Sequence, residues 1–294
     1  MNQVVRKMFI AYIFLLPAVL TLGIIKYFPF AQGVYKSLFS WNGANVDKFI
    51  GLDNYIELFQ DPVFLTSLLN IVIITISYLI GQIIFPLTAA IGVFHLPKKI
   101  QSVYKTLFIV PMIVPLIIIF LLWRWIYMGD YGVINELLNV IGLENWARDW
   151  LGNSETALWS IVFVNFPWIG TIAFLIFLAG LIAISPELYE AGRIDGMGVW
   201  QRIRYIELPL IKNQIRLVVI LSVITPFQSF ENILILTQGG PGYRTMTPAY
   251  YLYKSGFEYN QLGYASAIGV VVFVILITFT ILANKFIKPS ERLD

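Results

Sequence analysis

The chain has 294 residues, 58% of them hydrophobic and only 13% charged, with a net charge of +3. A soluble domain carries roughly 25% charged residues, so the composition excludes that class and points to an all-α integral membrane protein. Cysteine is absent, which excludes disulfides, thiolate chemistry and cysteine-ligated metal.

Crossing a bilayer takes about 20 apolar residues. Six runs are long enough, at about 8–30, 67–94, 106–127, 157–183, 213–236 and 262–283. The first follows Arg6-Lys7 but outlasts the roughly 7–15 residues of a signal-peptide core, so it is read as a span. Residues 1–66 then comprise this span and an outer loop, 67–283 the core with five further spans, and 284–294 a tail. Pro17, Pro86, Pro111, Pro115, Pro167 and Pro226 fall inside the runs and are expected to mark kinks more than ends, because neighbouring helices satisfy the freed backbone groups.

On the second span, Asn70, Ser77, Gly81 and Thr88 share one helix face, which is read as a packing seam with pore lining as the alternative. At its end stands the single histidine, His95, beside Leu96-Pro97-Lys98-Lys99, read as interfacial and not as a metal ligand because it has no acidic neighbours. Trp123, Trp125 and Tyr127 close the third span, and Trp146, Trp150 and Trp159 flank the fourth, as in an interfacial aromatic belt. Turn chemistry appears at Asn42-Gly43, Asn153-Ser154 and 239–242. Lys26 and Arg124 sit near span ends, and Glu231 is the one acid within a span.

With six spans, both termini share a side that holds 13 of the 20 basic residues, and the positive-inside rule places that side in the cytoplasm. The segment between spans four and five is then cytoplasmic. It begins Ser185-Pro186, a capping residue followed by proline at the first helical position. Two turns over 187–194 lead to Gly196 and Gly198, and a second short helix from about Val199 to Ile206 ends at Leu208-Pro209. The spacing therefore predicts a helix–glycine–helix corner. Its acids Glu190, Asp195 and Glu207 disfavour simple adhesion to anionic lipid and favour docking to a protein. The sequence contains no GxxxxGK[ST] phosphate loop, HExxH or GxSxG motif.

Glu190-Ala191-Gly192, Asp195-Gly196 and Ile206-Glu207-Leu208-Pro209 resemble the EAA loop of permease subunits of ATP-binding-cassette importers. Segments 49–64, 123–138, 236–245 and 263–269 are similar to recurring segments of the maltose-type sugar-permease branch, in the same order. The resemblance spans nearly the whole chain and departs at Gly192 and Met197, where alanine is usual. Glycine at 192 is expected to loosen the first coupling helix.

The resemblance implies a non-enzymatic permease in the prokaryotic cell (inner) membrane, surrounded by lipid. It implies a second homologous permease, two cytoplasmic ATPase subunits that bind ATP and Mg, and an extracytoplasmic sugar-binding protein. No cofactor is expected in this chain, and no nucleic-acid partner. Glu190, Ala191, Gly192, Ile194, Asp195, Gly196, Met197, Leu208 and Pro209 are the expected ATPase-coupling residues. An oligosaccharide is the expected cargo, with glycerol phosphate as the alternative and a solitary ion-coupled carrier as the competing class. That carrier would need intramembrane carboxylates or a midplane ion site, with inverted repeats, and beyond Glu231 the spans offer none of these.

For the substrate path, Gln228, Glu231 and Asn232 are spaced to share one face of the fifth span beside Pro226. Asn165 and Trp168 pair an amide with an aromatic plate on the fourth. Sugars are bound by such mixtures. Interhelical hydrogen bonding is the alternative reading of the same residues.

Overall fold

The computed structural model of the chain describes residues 3–164 and 170–286. It divides into two compact units, one running to Asp61 and including Tyr251–Phe273, the other comprising Pro62–Tyr250 and the residues from Val274. Three helices among the described residues are long and apolar enough to cross a membrane, Tyr12–Lys36, Pro62–Phe94 and Leu262–Phe286, and six if each of three bent pairs counts as one.

In the first unit, α1 (Gln3–Leu22) passes through a π-turn into α2 (Phe28–Lys36), so the helix runs six residues beyond the end expected from hydropathy. The strands β1 (Phe39–Trp41) and β2 (Asp47–Phe49) form an antiparallel hairpin with Phe39 opposite Phe49. Its turn is built by Asn42, whose Oδ1 accepts from the N–H groups of Ala44 and Val46, both at 3.0 Å. Lys36 pairs with Asp47 and lies 4.9 Å from the Phe39 ring centre, tying α2 to the hairpin. On α3 (Asp53–Gln60), the buried Asn54 donates to the carbonyls of Ser37 and Phe39.

The second unit begins with α4 (Pro62–Phe94), an unbroken helix of 33 residues and about 50 Å. There follow α5 (Lys98–Ile109), a 3₁₀ turn (Val110–Ile113) and α6 (Leu116–Ile126), with the axis turning 81° between Lys98–Ile113 and α6. The expected third span is therefore sharply bent. Proline is the cause: Pro115 excludes its predecessor from the helical region, and Val114 is accordingly extended. By contrast, Pro17 and Pro86 lie within continuous helices.

Next come α7 (Val133–Val140), α8 (Ala157–Val164), α9 (Thr171–Ile182), α10 (Pro186–Ile194), α11 (Val199–Arg202), α12 (Leu208–Leu210), α13 (Lys212–Gln228) and α14 (Glu231–Leu236). Ser185 occupies the capping position of α10 but its side chain makes no capping bond. The last described helices are α15 (Pro248–Tyr253) and α16 (Leu262–Phe286). Within the first unit, the Asp61 carboxylate accepts hydrogen bonds from the hydroxyls of Tyr251 and Tyr264.

The core of the second unit lies where α4, α9 and α13 meet, around Ala90, Phe174, Phe177, Leu181 and Val218. In lipid there is no water to expel, so such a core is held by close packing, which the small Ala90 permits. At one end of α4, buried Asn70 donates to the carbonyls of Met246 at 2.9 Å and Tyr243 at 3.3 Å. Gly81 is buried, as the packing seam requires, but Thr88 is exposed and bonds only within its own helix. The aromatic belt is also incomplete. Tyr127 is buried and donates to Ser160 O at 3.0 Å, and Trp150 donates to Asn135 Oδ1 at 2.8 Å. Trp125, Trp146 and Trp159 remain exposed, as the belt requires.

Candidate functional site

The corner over 185–210 closes by backbone chemistry. Gly196 N–H donates to Arg193 O at 3.1 Å and Met197 N–H to Gly192 O at 2.8 Å, the two bonds that terminate a helix through a left-handed residue. That residue is Gly196, at φ +74°. The second helix is shorter than expected: α11 gives way to a π-turn over Ile203–Glu207 before α12, and Gln201 Oε1 accepts the Gly198 N–H at 2.8 Å.

Gly192 sits inside the continuous α10. It is buried, and a Cβ there would stand 3.0 Å from Ile206 Cδ1 and 3.4 Å from Met197 Sδ. The glycine lets the two arms of the corner approach, and Met197 packs back onto it. Ile194 and Trp200 are the most exposed apolar side chains of the corner, at 87% and 82%, with Val199 and Tyr205 also exposed. Glu190, Ala191 and Asp195 are exposed beside them, and Leu208 and Pro209 are half-buried at the exit.

Behind this corner is a buried acid. Glu207 is fully buried, with Oε1 3.0 Å from His95 Nε2 at the end of α4. The expectation that His95 has no acidic neighbour is thus corrected by the fold, which brings the acid from a distant segment. Besides His95, the Glu207 carboxylate has no hydrogen-bond partner among the described residues, nor do the Tyr189 hydroxyl and Arg202 Nε beside it. Burial pushes the Glu207 carboxyl above the usual carboxylate range, while the charges of His95 and Arg202 pull it back. Burial likewise raises the Tyr189 phenol.

The fifth-span candidates separate. The helix breaks after Gln228, with Ser229 extended, and α14 restarts at Glu231, so the three residues do not share one helical face. Gln228 and Glu231 are exposed. Asn232 is buried, its Oδ1 accepting from Ile233 N–H at 2.9 Å and Ser229 Oγ at 3.4 Å. It holds the break together. Asn165 and Trp168 lie outside the described residues.

A cavity of about 620 Å³ that sequence reasoning missed lies between α4 and α6, lined by Tyr78, Gln82, Phe120, Trp123 and Gly170. The amide end of Gln82 packs directly against Gly170 and would have to shift to admit a Cβ there. Its signal in the sequence is faint: Gln82 adjoins the Gly81 seam, and Trp123 was absorbed into the belt. A second cavity, of about 580 Å³, opens beside α14 and is lined by Arg124, Asp130, Asp149 and Gln238.

The family described as "Binding-protein-dependent transport system inner membrane component" matches residues 82–292. The probable ABC transporter permease protein YurN of Bacillus subtilis is 37% identical over 287 residues, covering 96% of this chain and 97% of the relative. The arabinooligosaccharides transport system permease protein AraP of Halalkalibacterium halodurans is 31% identical, covering 96% and 90%. Among solved structures, a chain of a bacterial ABC transporter involved in alginate import superposes with a TM-score of 0.82 at 24% identity, covering 96% of each chain.

Proposed function

The chain belongs to the binding-protein-dependent transport system inner membrane components, and from that premise we propose that it forms half of the translocation pathway for an oligosaccharide. The relative named for arabinooligosaccharides supports that class of cargo. In this reading six spans cross the bilayer, both termini and the α10–α12 corner are cytoplasmic, and residues 67–283 form the permease core. A second permease completes the pathway. Two ATPase subunits, which bind ATP and Mg, drive it, and an extracytoplasmic binding protein delivers the sugar.

One observation carries the coupling role: a corner fastened by its own backbone and by buried Gly192 exposes large apolar residues, Ile194 and Trp200 foremost, flanked by Glu190 and Asp195. Exposed aromatic and aliphatic groups within a charged rim are what a protein partner buries. Glu190 supplies a charged contact to the ATPase, and Gly196 the turn. For the sugar, the cavity bearing Tyr78, Gln82 and Trp123 offers amide and hydroxyl groups beside an aromatic plate. The cleft with Arg124, Asp130 and Asp149 is its entrance, and exposed Gln228 and Glu231 line the path further along.

Gly196→Val tests the coupling role, because a β-branched residue is strained at this backbone angle. The variant should leave the membrane subunits assembled but release the ATPase subunits or uncouple hydrolysis from uptake. Full transport with full ATPase stoichiometry would refute the docking assignment.

A further inference from the structure

A cleft of about 570 Å³ separates α5 from α10, and its wall carries Lys98, Gln101, Ser102, Lys105, Tyr189 and Arg193. Lys98 and Lys105 are seven residues apart and so lie on one face of α5. Arg193 enters from α10. None of these three cations takes part in an ion pair among the described residues. The one acid on the wall is Glu190, so the cleft is net positive. Phe94 and Ile182 give the same cleft an apolar side.

The opposite face of α5 is greasy. Ile100, Val103 and Leu107 recur at helical spacing and are 44%, 58% and 59% exposed. The helix also lies at 81° to α6 across the break at Pro115. Where α5 and α6 together form one bent span, α5 is its Lys98 end, with the apolar face against acyl chains and the lysines at headgroup depth. A helix apolar on one face and basic on the other lies at such an interface, and basic pockets between spans at the membrane surface hold anionic headgroups.

We propose that the α5–α10 cleft binds the phosphate-bearing headgroup of an anionic phospholipid, with Lys98, Lys105 and Arg193 around the phosphate and Phe94 and Ile182 against the glycerol end of the tails. A bare anion shares the phosphate chemistry but would leave the apolar wall of the cleft uncovered. The bound lipid would bridge α5 to the coupling corner, so the leaflet's charge reaches the element that meets the ATPase. The inference rests on the spans proposed above. Its test reads lipid retention and not transport, so the two readings fail separately.

The purified importer complex, stripped of lipid in detergent, is titrated with phosphatidylglycerol, phosphatidylcholine and inorganic phosphate, and bound lipid is counted by native mass spectrometry. Phosphatidylglycerol should be retained over phosphatidylcholine. Lys98→Gln or Lys105→Gln should each weaken its retention about five-fold, and the double variant about thirty-fold. Lys99→Gln, a neighbour that does not line the cleft, should leave retention unchanged and reports whether such variants fold. Equal retention of the two lipids, equal loss in Lys99→Gln, or displacement of the lipid by inorganic phosphate at matching concentration would each overturn the proposal, the last by assigning the cleft to a soluble anion.

Discussion

Replacing His95 with alanine removes the base that faces the buried Glu207 across 3.0 Å. Losing one partner of a buried pair costs about 3–5 kcal/mol. The His95 side chain is 30% exposed, so water offsets part of this, and about 2 kcal/mol is the expected loss. The loss falls on the contact that docks the α10–α12 corner against the end of α4. Hydrogen exchange reads it as protection factors, which remove the intrinsic pH dependence of exchange, and about 2 kcal/mol is about thirty-fold less protection over 186–210.

The pH dependence has a definite sign. Burial raises the Glu207 carboxyl above its ordinary range, so the stability associated with the neutral acid is present at low pH and is lost as pH rises through that raised value. His95 opposes this rise. Its removal should therefore hurt most at neutral pH and progressively less in mild acid. Glu207→Gln keeps the shape without the charge, so the double variant His95→Ala/Glu207→Gln should regain most of the protection at neutral pH. Equal loss of protection at neutral and acid pH, or a double variant no better protected than His95→Ala, would refute the reasoning.

Three further outcomes are expected. Gln82→Ala and Trp123→Ala should each raise the sugar concentration for half-maximal uptake about three- to ten-fold with binding-protein affinity unchanged, measured in vesicle uptake, whereas Asn232→Ala should lower the amount of assembled complex because its carbonyl holds the break before α14. Asn70→Ala should destabilise the complex by about 1–3 kcal/mol, seen as a lower melting midpoint, since it removes the Asn70 amide donor from the Met246 carbonyl, while the Tyr243 carbonyl keeps the Met246 N–H.

Hydropathy alone located the apolar runs, because apolar length is a local property and a bilayer demands it of every span. The corner was legible for the same reason: Pro186 at the helix start and Gly196 at its left-handed end act through their own backbone angles. Gly192 was not. Its meaning depends on Ile206 and Met197 folding back over it, and within a single helix a glycine reads only as a weakness. The helix breaks were partly legible, since proline marks a site where the helix can end, yet Pro86 stays within α4 while Pro115 divides α5 from α6. Neighbouring packing decides which occurs. Similarly, Gln228 and Asn232 share a face only if the helix continues between them, and it does not. The pairing of His95 with Glu207 and the wall of Tyr78, Gln82 and Trp123 were beyond any local reading. Each joins residues from separate helices, and only the packing of those helices sets the distances between them.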